Sequence, residues 1–410
     1  MIQKRIPSVR FIEYSDVWAK TKLNRIANII GGGTPDTKQS SYWNGGINWF
    51  SPTEVGETVY LRKSEKTISQ LGLQKSSAKL LPAFKTILFT SRAGIGDVGI
   101  LTEESATNQG FQSLVVNEGI DVYFLYSYSD QIKKYALKHS AGSTFLEISG
   151  KELGKIDLNI PSLPEQSSIG SLFRTLDDLL ASYKDNLANY QSLKATMLSK
   201  MFPKAGQTVP EIRLDGFEGE WEVQTLKELA SFSKGNGYTK NDLVNSGEEI
   251  ILYGRLYTNY QTVISKVNTF VTTVKANAVI SKGGEVIVPA SGESAEDISR
   301  ASVVDKSGVI LGGDLNIIYP DENKVDSIFL ALTISNGSQQ KELIKRAQGK
   351  SVVHLRNNDL EKVVLHYPSM EEQQAIGSYF SNLDQLITSY QEKITQLETL
   401  KKKLLQDMFV

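Results

Sequence analysis

The sequence predicts an α+β fold in which two pseudo-repeated mixed α/β domains are joined by two long helices packed as an antiparallel coiled coil. Three observations predict it. The phrase "PSLPEQSSIGSLF" from Pro161 returns as "PSMEEQQAIGSYF" from Pro368. At that constant offset of 207, residues 161–202 match residues 368–409 at 18 of 42 positions without a gap. Apolar residues inside both copies recur in steps of 4 and 3, the spacing of a helical seam. A segment duplicated within one chain sets the domain plan before any local reading.

The long helices come first because their periodicity is strongest. One seam runs Ile169, Phe173, Leu176, Leu180, Tyr183, Leu187, Tyr190, Lys194, Met197, Met201. The other runs Ile376, Phe380, Leu383, Ile387, Tyr390, Ile394, Leu397, Lys401, Leu404, Met408. Each copy opens with Ser-x-x-Glu (Ser162 to Glu165, Ser369 to Glu372), a capping-box pattern. At 1.5 Å per residue each helix is about 60 Å long. Matching seams pack on each other, and each carries one lysine. Lys194 with Asp384 and Lys401 with Asp177 both sum to 578, as partners on antiparallel helices do, so these four residues are candidate register contacts. The alternative is that each lysine snorkels out of the seam.

The regions ahead of the helices repeat more faintly. "RIPSVRFIEYSDVWAKTKLNRIA" from Arg5 aligns with "TVPEIRLDGFEGEWEVQTLKELA" from Thr208, matching Arg10 to Arg213 and Trp18 to Trp221. The chain therefore divides into globular regions at 1–163 and 206–369, a central spacer helix at 164–205 and a second spacer helix at 370–410. "KTILFTS" and "GEVIVPAS" are β-branched runs bounded by Gly or Pro and read as strands. "VYFLYSYSDQIKKYAL" and "DSIFLALTISNGSQQKELI" read as helices, and a last strand leads into each long helix.

Composition bounds the function. With 410 residues, 40% hydrophobic and 22% charged, the chain is that of a soluble protein of two or three domains. No apolar run approaches the roughly 18 residues of a membrane span, and "MIQKRIPSVRF", with no apolar stretch after its basic residues, is not expected to be a secretory signal. The absence of cysteine excludes disulfides and thiolate metal sites, and the three histidines show no ligand spacing. No metal site and a cytoplasmic location are expected. Net charge is −1 overall, resolving into +4 for residues 1–163, +1 for 164–205, −4 for 206–369 and −2 for 370–410. That is no basic footprint of a protein gripping DNA alone, so DNA binding needs local patches or basic partners.

Catalytic motifs are missing. Gly94-x-Gly96-x-x-Gly99 follows a strand, but "ILTEESATNQG" after it is not an amphipathic helix, so a loop with positive φ is expected instead of a dinucleotide site. "GGGTPDTK" lacks the Gly-Lys-Ser/Thr ending of a P-loop, and no His-Glu-x-x-His, Gly-x-Ser-x-Gly or Asn/Asp-Pro-Pro-aromatic motif occurs. No catalytic residue is assigned. What remains are loops rich in aromatics, amides and cations, the side chains that meet base edges and phosphates. The candidate DNA-binding residues are Lys38, Tyr42, Trp43, Asn44, Arg92, Asn108, Gln109 and Ser143 in the first region. In the second they are Arg255, Tyr257, Asn259, Tyr260, Ser291, Arg300, Lys350, Ser351 and His354. Asn48, Trp49 and Gln112 lie in the same stretches, and all four tryptophans, Trp18, Trp43, Trp49 and Trp221, are more often core than ligand.

With "DVWAKTKLNRIANIIGGGTP", "GEWEVQTLKELASFSKGNG", "YWNGGINWFSP", "NQGFQSL", "AGSTFLEIS" and two "EQ..IGS.F..LD" helices in this order, the chain resembles the specificity subunit of type I restriction–modification enzymes over essentially its full length. The resemblance implies two target-recognition domains at opposite ends of an antiparallel helical spacer, each reading one half of a split, asymmetric site in double-stranded DNA. Two readers on one DNA face sit about one helical turn, ~34 Å, or more apart. It further implies two modification subunits around the helices, carrying S-adenosylmethionine and methylating a flipped adenine. Motor-nuclease subunits, using ATP and Mg, would translocate and cleave unmethylated DNA. This chain itself would carry no cofactor. Glu165, Gln166, Glu372 and Gln373, taken as outer helix positions, are the candidates for gripping the modification subunits. "KGNGYT" in place of "GGGTP" predicts a differently built opening loop in the second domain, and "YWNGGINW" has no evident counterpart there. The competing classes are a coiled-coil scaffold with protein-binding ends and a self-contained DNA enzyme.

Overall fold

The computed structural model describes residues 6–92, 94–142, 146–349 and 352–409. Its two long helices, α1 (Leu163–Lys200) and α2 (Met370–Asp407), are each 38 residues long. The chain forms two compact units, Met1–Lys184 with Glu392–Val410, and Asp185–Gln391. Each unit thus holds a globular domain, part of one long helix and part of the other. Among the described residues no helix is long and apolar enough to cross a membrane.

In both units an antiparallel strand pair closes the globular domain just before its long helix: Ala19–Lys22 with Asp157–Ile160, and Glu222–Thr225 with Val364–Tyr367. The main sheet follows the same plan twice. In the first unit the strand order is 27–31, 112–116, 86–89, 98–101, 60–61; in the second it is 230–234, 315–320, 285–289, 302–304, 263–264. Only the last neighbours are parallel in each. The inner strands 86–89, 285–289 and 302–304 are buried throughout, whereas the edge strands 27–31 and 230–234 are partly exposed. The second sheets differ: three strands (66–68, 43–50, 105–107) against five (243–244, 270–271, 248–251, 310–311, 279–280). Even so, Trp43–Phe50 runs parallel to Ser105–Thr107 as Glu248–Ile251 does to Ile310–Leu311. "YWNGGINW" therefore has a structural counterpart that its sequence hides.

The Gly94–Gly99 stretch is a turn between antiparallel strands, with Gly94 and Gly96 at φ of 112° and 96°. The opening loops are built alike where it matters. A Cβ on Gly32 would fall 1.9 Å from the Asn108 carbonyl, and one on Gly235 1.9 Å from the Gly312 carbonyl, so both positions admit only glycine. That corrects the expectation of a different second loop at this point.

The twice-written phrase docks each domain on the head of its helix. Glu165 receives Arg10 Nε at 2.6 Å and Arg10 Nη2 at 2.7 Å, with Trp18 Nε1 at 3.2 Å. Glu372 receives Arg213 Nε at 2.8 Å and Nη2 at 2.6 Å. The carboxylates are spent on these arginines, so the capping-box expectation is corrected, although Ser369 Oγ does accept the Glu372 amide at 3.4 Å. Gln166 accepts the Asp121 amide and donates to the Pro161 carbonyl; Gln373 does the same with Asp326 and Pro368. A Cβ on Gly170 would meet Asp121 Oδ1 at 2.4 Å, which explains the glycine after the isoleucine. Glu165, Gln166, Glu372 and Gln373 are all at most 2% exposed. Their assignment as outer, partner-gripping positions is corrected: they face inward and bind their own domain.

In each unit the far end of a long helix completes that unit's own core. Phe409 packs among Trp18, Phe124, Tyr128 and Phe173, and Phe202 among Trp221, Phe329 and Phe380. The Val9 amide bonds the Asp407 carbonyl just as the Ile212 amide bonds that of Lys200. Within the first unit Lys401 pairs with Asp177 and Lys184 with Glu398; within the second Lys194 pairs with Asp384 and Tyr190 meets Tyr390. The helices are antiparallel in both.

Breaking a buried ion pair by removing one partner costs about 3–5 kcal/mol, because the other charge is stranded. Glu165→Ala should destabilise the first unit by that amount in denaturant titration. A loss below about 1 kcal/mol would mean that Arg10 finds water or another acceptor.

Candidate nucleic-acid interface

Strand register makes the two domains comparable residue by residue. Ile87 opposes Leu114 and Val286 opposes Ile318, which places Arg92 and Ser291 at one topological position. The shared Gly32–Asn108 and Gly235–Gly312 contacts make Asn108-Gln109-Gly110 equivalent to Gly312-Gly313-Asp314. In both domains these loops leave the same end of the main sheet, where strands 86–89 and 285–289 finish.

The first domain presents an open polar surface there. Lys38 and Gln109 are exposed, Gln109 held by the Thr34 hydroxyl. Asn44 is exposed with a left-handed backbone, φ 58°, which asparagine tolerates better than most residues. Arg92 is half-exposed beside Glu147 at 3.9 Å. Asn108 turns inward to accept the Gly110 amide at 2.7 Å and so shapes the loop. Tyr42 is half-exposed on the turn Ser40–Tyr42. Trp43 is committed, its Nε1 donating to the Asp36 carbonyl and its ring edge-on to Trp49 at 5.1 Å. Trp49 bonds the Gly33 carbonyl, and the amide of Asn48 reaches the Arg62 carbonyl and Glu103, so both brace the fold. Gln112 is half-exposed on its strand, where a Cβ on Gly150 would meet its Oε1 at 2.6 Å.

In the second domain Arg255, Tyr257 and Asn259 line a bowl of about 990 Å³. Arg255 anchors that lining, donating to Asn268 Oδ1, Gln261 Oε1 and the Lys266 carbonyl; burial lowers its pKa. Tyr257 is pushed up, chiefly by burial and then by Tyr253 and the nearby Glu293 and Asp297. Asn259 is exposed. Lys240, Asn241, Glu293 and Asp314, which the sequence did not single out, also line the bowl. Only the strand register, not the sequence, equates the Asp314 loop with "NQG".

Three assignments move away from this surface. Tyr260 contacts Ser335 at 3.2 Å, with the Arg300 guanidinium over its ring at 5.8 Å, in a cleft lined by Lys194 and Thr262. Burial pushes the Tyr260 phenol up. Tyr260 and Arg300 thus pack beside the helical seam, because the strand after Tyr260 runs back along the sheet. Ser291 is 6% exposed, paired across a two-residue ladder with His354. These three are corrected from DNA contacts to internal packing. His354 stays exposed. Ser143, Lys350 and Ser351 lie outside the described residues. Among the described residues no group of His, Asp or Glu side chains could hold a metal ion.

One frame carrying two unlike sets of polar loops defines a paired recognition protein. Residues 15–189 and 218–399 match the family described as the type I restriction modification DNA specificity domain. The chain is 24% identical to the type I restriction enzyme MjaIX specificity subunit of Methanocaldococcus jannaschii over 401 residues, 95% of this chain and 91% of that one. It is 29% identical to the EcoR124I/EcoR124II specificity subunit of Escherichia coli over 174 residues, 40% and 42% of the two chains. The fold matches the crystal structure of the type I S subunit from M. genitalium with a TM-score of 0.62, 14% identity and 99% coverage of both chains. The chain belongs to the type I restriction–modification DNA specificity family, as a non-catalytic specificity subunit. The scaffold reading is not favoured.

Tyr260→Phe should cost about 0.5–1.5 kcal/mol of stability, one hydrogen bond, and leave the DNA target unchanged. Melting curves and target mapping on the same variant check both halves of that expectation.

Proposed function

We propose that the chain reads a bipartite, asymmetric site in duplex DNA, one half per domain, for partner subunits that carry out the chemistry. The observation that carries this reading is the repeated frame with unlike reading loops: equivalent positions hold Asn108-Gln109-Gly110 in one domain and Gly312-Gly313-Asp314 in the other. Two modification subunits would carry S-adenosylmethionine and methylate adenine in each half. Motor-nuclease subunits would bring ATP and Mg, and the assembly would work in the cytoplasm. Replacing residues 206–369 with the corresponding domain of another specificity subunit should change one half of the methylated motif and spare the other. Adenine-methylation mapping in cells expressing the chain with its modification subunit reads this out. A motif altered in both halves, or in neither, overturns the reading.

With Glu165 and Gln166 turned inward, we infer that the partner surface lies elsewhere on the helices. Ser171, Ser182 and Leu193 recur as Ser378, Ser389 and Leu400, all exposed. Spaced by 11 residues, close to three helical turns, they share one face. Leu193 and Leu400 are 37% and 45% exposed, although packing within the chain gives identical leucines no evident reason. A stripe written twice suits a partner bound twice. Leu193→Glu with Leu400→Glu should weaken assembly with the modification subunit at least tenfold in titration, with thermal stability retained.

A further inference from the structure

The second domain's −4 charge is unfavourable for gripping phosphates and asks for a different kind of contact. The bowl beside Arg255 supplies one. Its cations are Lys240 and Arg255, and Arg255 already makes three internal hydrogen bonds. Its anions are Glu293 and Asp314, both exposed. Among the described residues neither carboxylate has an ion pair or a side-chain hydrogen bond. Asp314 also sits where the first domain has the end of its Asn108-Gln109-Gly110 loop, at the finish of the same sheet.

Resting on the bipartite reading above, we infer that the second domain specifies its half-site through acceptors: Asp314 and Glu293 receive the exocyclic amine of a cytosine, or of an adenine, at a base edge. Carboxylates are the side chains that accept from cytosine N4 in the major groove. Placed against a guanine or thymine edge, which offers the carbonyl oxygens O6 and O4, they would meet like-charged lone pairs and reject the base. A free carboxylate is costly near phosphates, so it is useful only where an amine donor repays it. The first domain, with Lys38, Arg92 and Gln109 at the same end of its sheet, would read chiefly with donors. The contacts in the two halves would then differ in kind: donors aimed at base acceptors in the first domain, carboxylates aimed at a base amine in the second.

The test uses the full chain with its modification subunit and maps methylated sites genome-wide for the wild type, Asp314→Asn and Glu293→Gln. Asparagine keeps the left-handed backbone that Asp314 adopts at φ 58°, so the variant retains the loop, and a melting curve verifies the fold. The expected result is a changed or relaxed base at one position of the second domain's half-site, with cognate methylation down about tenfold in Asp314→Asn and the other half unaltered. An unchanged motif and level in both variants overturns the inference, as does a uniform fall with no change of motif. If swapping residues 206–369 still changes that half while both variants do not, the acceptor assignment fails and the bipartite reading stands.

Discussion

The buried Arg10–Glu165 pair and its duplicate Arg213–Glu372 hold the rest of this structure in place. Side-chain exposures of 10% and 1%, and of 16% and 2%, take four charges out of water. Such burial is tolerable only when the geometry is bidentate and the remaining donors are satisfied. Both pairs are bidentate and use further donors: Arg10 Nη2 also reaches the Asp16 carbonyl, and Arg213 Nη1 the Gly219 carbonyl. A hydrophobic contact at the helix head could slide. An arginine fork on a carboxylate, joined by a glutamine clasping the amide of Asp121 or Asp326, fixes both the distance and the rotation of a domain on its own helix. Recognition loops at the far end of a sheet need that rigidity, because a small rotation at the head moves a loop tip by several ångströms.

That division of labour explains why the frame is repeated while the loops are not. The five-stranded sheets keep one order and one set of directions because their inner strands are buried, where a change of register would expose a whole apolar face. The loops leaving the sheet carry no such constraint. Insertion there is tolerated, so the second sheet can have three strands in one domain and five in the other without disturbing the docking. Gly32 and Gly235 mark where the constraint ends, since a backbone carbonyl crosses there too closely for any side chain.

Much of this was legible in the sequence. A seam of 4 and 3 steps is a direct image of helical geometry, and a sum of 578 is a direct image of antiparallel packing; Lys194 meets Asp384 and Lys401 meets Asp177. Glu165 and Gln166 were misread for a physical reason. Gln166 lies one heptad before Phe173 and Glu165 one step of four before Ile169, so position pointed inward while polarity suggested outward. Position prevails when an arginine from 155 residues away, Arg10, supplies the compensating charge, and no local pattern encodes that partner. Tyr260 and Arg300 were misread similarly. Aromatic–cation content marks a binding loop and a packed cleft alike, and only the path of the strand separates them.

The reading surface also rationalises the weak net charge. Phosphate contacts supply affinity that is the same for every sequence, whereas base edges supply discrimination. A subunit that must change its target without changing its assembly gains by keeping the two apart. A strongly basic domain would bind any duplex and blunt the difference between right and wrong sites. A domain of net charge −4 gains little from nonspecific DNA, and its carboxylates turn a mismatched edge into repulsion rather than indifference. Partners bringing the phosphate grip, as proposed above, would then serve every specificity equally well, and the frame would need to keep only its docking on the helices. On this view the acidity of the second domain is part of how it discriminates.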